Sequence, residues 1–140
     1  MPVDLPALGA TVKQIQYRHH RAMDTRLAAV GTTLVQWDAL RAIGRAPGAS
    51  AHDLAEATFQ SDQSFGTLAT RLLARGLIER RPGAGRRIEH RLTVAGERML
   101  AAGEPIARGL LDRSFGGLSE RERETLRDLL ARVVATDLTA

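Results

Sequence analysis

The chain contains no cysteine, which excludes disulfides, thiolate metal sites and thiol redox sensing and fits a reducing cytosol. It also lacks a long apolar run. Its longest stretch without a charged side chain, Leu27 to Trp37, is eleven residues, against the ~20 apolar residues a helix needs to cross a bilayer. The N-terminal MPVDLPALGATVK has no basic segment followed by an apolar core, so no secretory signal is expected. A cytoplasmic protein without a membrane partner follows. There is no internal repeat and no low-complexity tract. No nucleophile elbow, phosphate-binding glycine loop or HExxH pair is present, so neither an enzyme nor a cofactor is expected.

What the chain does have is the make-up of a small globular protein. Its 140 residues are 44% hydrophobic and 26% charged, with net charge +4, which suits one compact domain, alone or with helical extensions, and excludes a disordered chain. The basic side chains are arginines apart from Lys13. They are unevenly placed: six basic groups face five acidic ones over residues 1–60, eight face four over 61–100, and six face seven over 101–140. Between Arg71 and Arg91, seven arginines (71, 75, 80, 81, 86, 87 and 91) meet only Glu79 and Glu89. A patch of this kind attracts a polyanion such as nucleic acid, or is simply a solvated charged face.

Four residues have the chemistry and spacing of helix caps: Thr33 with Gln36, Ser50 with Asp53, Ser61 with Asp62, and Ser119 with Glu122. Apolar residues recur at helical spacing around them. Leu8, Val12, Ile15, His19, Met23, Leu27 and Val30 make one stripe of a long first helix. Leu34, Trp37, Leu40 and Ile43 make the inner side of a second, ended by the Gly44 to Gly48 segment. A short helix from Ala51 to Thr58 turns Leu54 and Ala55 inward. Another from Asp62 to Arg75 buries Phe65, Leu68, Leu72 and Leu73, and Gly76 stops it. The period then changes to two. Residues Leu77 to Arg81 and Arg87 to Leu92 read as strands joined by Pro82, Gly83, Ala84 and Gly85. A helix after Thr93, with a kink at Pro105, and a last helix from Glu120 to Thr136 complete the chain.

The expected fold is therefore mainly α with a small β-hairpin. Helix, short helix, helix and basic hairpin is the order of a winged helix-turn-helix, in which the helix after the turn enters the major groove of double-stranded DNA and the hairpin tip reaches the backbone or minor groove. Gln63, Ser64 and Thr67 stand opposite Leu68 and Leu72 and are candidates for base edges. Ser61, Arg71 and Arg75 are candidates for phosphates, and Arg86 or Arg87 for a narrow minor groove. The alternatives are a winged-helix protein-interaction module, which rests on Gly66-Thr67 in the groove-facing helix, and a non-specific nucleic-acid binder without an effector; the basic stretch could also bind RNA.

The runs TLVQWDAL (33–40), SAHDLAEATFQSDQSFGTLATRLLARGLIERR (50–81) and RLTVAGERML (91–100) resemble the MarR family of bacterial transcription regulators. The resemblance implies a homodimer whose first and last helices interlock and whose two winged lobes grip a palindromic operator. It implies a repressor, released when a small aromatic or phenolic molecule binds between the dimerisation helices and the lobe. On this reading residues 1–32 form an N-terminal dimerisation helix, 33–93 the DNA-binding lobe and 94–140 the C-terminal dimerisation helices. Leu8, Val12, Leu126, Leu129, Leu130 and Val133 would line the dimer interface, and His19, Met23 and Trp37 the ligand pocket. Two departures from the family pattern stand out. Ala84-Gly85 replaces the usual Asp before the wing arginines, in a shorter loop, and Thr67 stands where many members carry a basic residue. His19, His20 and Asp24 do not form a metal site, since adjacent helical residues point about 100° apart and no third ligand is at hand.

Overall fold

A computed structural model of the chain, describing residues 1–139, contains α1 (Leu5–Leu27), a 3-10 turn (Ala28–Val30), α2 (Leu34–Arg45), α3 (Ala51–Ala57), α4 (Asp62–Ala74), β1 (Ile78–Pro82), β2 (Ile88–Leu92), α5 (Val94–Ser114) and α6 (Glu120–Val134). Each of the four cap residues accepts from the backbone N–H three residues on. Ser50 with Asp53 and Ser119 with Glu122 are reciprocal boxes. At Thr33 the return bond is absent, because Gln36 turns its side-chain oxygen to Thr32 and Arg75 instead. A second acceptor takes over there: Asp24 of α1 receives the Leu34 N–H at 2.7 Å. That bond fixes the angle at which α2 leaves the turn, satisfying a donor the helix itself cannot pair.

The strands pair antiparallel from Ile78↔Leu92 to Pro82↔Ile88, one residue later at each end of the loop than the spacing predicts. The shift arises because Gly83 N–H reaches the Arg87 carbonyl at 2.8 Å, which extends the ladder through Pro82 and leaves Gly83 to Arg87 as the loop. Ala49 adds an isolated bridge to His90, so the hairpin is anchored to the turn before α3. The first helix also ends earlier than its apolar stripe: Gly31, at φ +84°, follows the 3-10 turn. α5 runs through Pro105, which leaves the Ala101 carbonyl without its helical donor.

The chain forms two compact units, Met1–Ala107 and the segment from Arg108 onward. In the first, Leu40, Ile43, Leu54, Phe65, Leu68 and Leu72 form the centre of one apolar core. Trp37 is also buried, its Nε1–H donating to the Leu100 carbonyl at 3.1 Å. Its indole lies so close to the α5 backbone that any side chain at Gly103 would collide with it. In the second unit α5 and α6 leave an open groove of about 560 Å³ lined by Leu111, Phe115, Leu126, Leu130 and Val134 among others.

Among the described residues other than glycine, one has a positive φ. Phe59, in the turn between α3 and α4, has φ +58°, a left-handed conformation that costs a bulky side chain about 1 kcal/mol or more.

Candidate nucleic-acid interface

α4 presents two faces because its apolar residues fall at positions 65, 68, 69 and 72. Phe65, Leu68, Ala69 and Leu72 are buried, while Ser61, Gln63, Ser64, Thr67 and Arg71 are all exposed. The Ser61 hydroxyl accepts the Ser64 N–H at 3.1 Å, and Thr67 donates to the Gln63 carbonyl at 3.2 Å. Gly66 opens onto empty space: a Cβ built there meets nothing within 4 Å. Packing therefore does not require a glycine at this point, although glycine costs a helix ~1 kcal/mol against alanine.

The arginines between 71 and 91 separate by partner. Arg75 is drawn away from the exposed face of α4, donating at 2.8 Å to both the Gln36 side-chain oxygen and the Gly31 carbonyl. Its terminal nitrogens thus bind the turn after α1 and the first turn of α2. Arg87 is held at the root of the wing by the Gly48 carbonyl at 3.2 Å and Asp53 at 3.3 Å. Arg80 donates to His90, Arg81 to Glu79 and Arg91 to Glu89. Only Arg71 and Arg86 among the seven have no hydrogen-bond or ion-pair partner among the described residues, one on α4 and one at the tip of the wing.

Two histidines bear on this surface, and sequence spacing singled out neither as functional. His90, in β2, is buried, and its ring meets the Phe65 ring edge-on with centroids 6.5 Å apart. Its Nε2 receives Arg80 Nε–H at 3.3 Å, so Nδ1 must carry the proton it donates to the Ala49 carbonyl at 3.0 Å. Burial holds its pKa below the ordinary histidine value, and the Arg80 charge adds to the effect against the pull of the Ala49 carbonyl. His52, on α3, is exposed and spans two carboxylates, Asp62 at 3.0 Å through Nδ1 and Glu56 at 3.2 Å through Nε2. With both nitrogens facing acceptors the charged ring is favoured, and the hydrogen bond to Asp62 above all raises its pKa. The i, i+4 spacing of His52 and Glu56 was a usable signal in the sequence; the reach across the turn to Asp62 was not.

The three residues of the expected ligand pocket lie differently. Met23 and Trp37 are buried within the packing, and His19 is half-buried on α1. The Arg41 guanidinium lies 5.8 Å from the centre of the Trp37 ring. Nearby on α2, burial raises the Asp38 pKa, opposed by Arg41 and then His20. His20 pairs with Asp24 at 3.2 Å, and no group of three metal-ligating side chains occurs among the described residues. Nor is any described helix long and apolar enough to cross a membrane.

Comparison with known proteins agrees with this arrangement. The family model described as MarR family matches residues 30–88, from the turn after α1 to the start of β2. A transcriptional regulator of Escherichia coli, HosA, is 32% identical over 106 residues, covering 74% of this chain and 78% of that protein. Among solved structures, a mutant MarR from E. coli complexed with operator DNA superposes with a TM-score of 0.85 at 21% identity, covering 91% of this chain and 93% of that one. The PcaV regulator of Streptomyces coelicolor, in complex with its natural ligand, gives 0.81 at 25% identity over 96% of each chain. A polar face on α4, an anchored basic wing and a curated relative matching across three quarters of the chain converge on one conclusion: this protein belongs to the MarR family of transcriptional regulators.

Proposed function

We propose that the protein is a homodimeric, sequence-specific repressor that binds a palindromic operator and is released from it by a small aromatic ligand. The observation that carries the DNA-binding part is the division of the arginines. Five of the seven between 71 and 91 are paired with other groups of the chain, while Arg71, on the exposed side of α4 with Gln63, Ser64 and Thr67, and Arg86, in the wing loop, have no partner among the described residues. On this reading Gln63, Ser64 and Thr67 meet base edges, Ser61 and Arg71 meet phosphates, and Arg86 is the wing residue that enters the minor groove. Arg75 and Arg87 support from behind: one fixes the end of α4, the other the root of the wing.

The dimer reading rests on apolar surface that each unit leaves uncovered. Leu8, Val12 and Ile15 of α1 are about half exposed, as are Leu129 and Leu130 of α6, and Val133 is 69% exposed. Leu126 is half-buried in the wall of the α5–α6 groove. Such a surface suits a second copy better than water. Residues 1–32 and 94–140 would then serve the dimer, and 33–93 the DNA. The effector rests on the family and on the ligand carried by PcaV; here its site would lie about His19, Met23 and Trp37, with Met23 and Trp37 shifting to admit it.

The test is fluorescence anisotropy on the upstream intergenic DNA of the gene and on a scrambled duplex, at two salt concentrations. A preference of ~10³ or more for the upstream duplex is expected of a specific regulator. Equal, strongly salt-dependent binding to both would reduce the protein to a backbone binder.

A further inference from the structure

We propose that Phe59 is a specificity residue, its ring packing on the C5-methyl group of a thymine at the edge of the major groove. This inference rests on the DNA-binding reading above. The ring is 97% exposed on a backbone at φ +58°, a conformation that glycine adopts without penalty. Nothing in the fold offsets the cost. The turn is closed by Phe59 N–H to the Glu56 carbonyl at 3.2 Å, Gln60 N–H to the Ala55 carbonyl at 2.9 Å, and the Gln60 side-chain amide to the Thr58 hydroxyl at 3.2 Å. None of these bonds uses the Phe59 side chain, so a glycine would close the same turn with less strain.

Position names the partner. Phe59 lies two residues before Ser61, the cap of α4, so its Cα is at most ~7 Å from that of Ser61. A recognition helix contacts bases with its N-terminal residues, and Gln63 follows only four positions after Phe59. The ring has no donor for a phosphate oxygen. The apolar group that a major groove offers is the thymine methyl, and phenylalanine is among the side chains that contact it. An exposed aromatic could instead dock a protein, but its place just ahead of the N-terminal turn of α4, where Gln63 and Ser64 are exposed, favours DNA.

Replacing every thymidine of the upstream duplex by deoxyuridine removes the methyl groups alone. The wild-type protein should lose ~4-fold in affinity for each methyl contacted, the factor expected of one buried methyl-sized group. Phe59→Gly should bind the unmodified duplex more weakly than wild type by a similar factor, lose almost nothing on the deoxyuridine duplex, and unfold at a higher temperature. Phe59→Asn, whose side chain tolerates the left-handed backbone, should repeat the loss and so separate the ring from the flexibility of glycine. Equal losses on deoxyuridine DNA for wild type and both variants would overturn the assignment while leaving DNA binding intact, as would variants that bind the unmodified duplex as tightly as wild type. Wild-type protein that fails to distinguish the unmodified upstream duplex from a scrambled one would overturn the DNA-binding reading itself, and this inference with it.

Discussion

α4 and α6 start alike and end differently. Each is a serine-capped helix of three to four turns, and each carries apolar residues at helical spacing. Yet α4 buries Phe65, Leu68, Ala69 and Leu72, whereas α6 has no buried residue at all. An amphipathic pattern thus specifies that a face will be covered without specifying by what. For α4 the cover is the rest of its own lobe. For α6, we infer, it is a second copy of the chain, and the same kind of substitution should therefore act on different equilibria in the two helices.

Phe65→Ala should produce the largest effect. It removes a fully buried ring and its edge contact with His90, at a cost of ~3–5 kcal/mol in unfolding free energy by denaturant titration. Leu130→Asp in α6 should leave the secondary structure intact and halve the mass measured by light scattering at micromolar concentration. A Leu130→Asp protein that stays dimeric would break the comparison. Next comes the exposed side of α4: Gln63→Ala should cost ~1–3 kcal/mol on the operator and little on random DNA, and equal losses on both would remove Gln63 from base readout. Smaller still, Arg86→Ala should lower the slope of log affinity against log salt by about one unit. Arg87→Ala should act instead through the hold of Asp53 on the wing, lowering the thermal midpoint. If Arg87 changed the salt slope as Arg86 does, the division of the arginines would be wrong.

The mildest effect is one of pH. His90 stays neutral when folded because burial lowers its pKa, so below the ordinary histidine value of about 6.5 the unfolded chain takes up a proton that the folded lobe refuses. Its contribution to stability is therefore complete above that value and lost as pH falls toward and through the folded one. His52, whose pKa is raised, works in the opposite sense, so His52→Gln removes the opposing histidine. That variant should denature at lower urea concentration at pH 5.5 than at pH 7.5. The reverse order would show that His90 is not held neutral.

The order of elements was legible in the sequence because caps and apolar spacing are local signals; Thr33, Ser50, Ser61 and Ser119 each mark a helix start. The hairpin loop was misplaced by one residue, since the bond from Gly83 to Arg87 is invisible to a count of turn residues. The state of the arginines was illegible for a different reason. Arg75 meets Gly31 and Gln36 across 44 and 39 positions, and Arg87 meets Asp53 across 34, so which charges remain free depends on the tertiary arrangement. The same holds for Phe59, whose exposure and backbone angle no periodicity reveals.

The two bonds of Arg75 also have a mechanical meaning. α4 is 13 residues long, about 20 Å at the helical rise, and Arg75 clamps its heel to the turn between α1 and α2. Phe65, Leu68, Ala69 and Leu72 seat the same helix along its inner side, so the piece that we place in the groove is braced like a strut, with one end tied to the turn after the first helix.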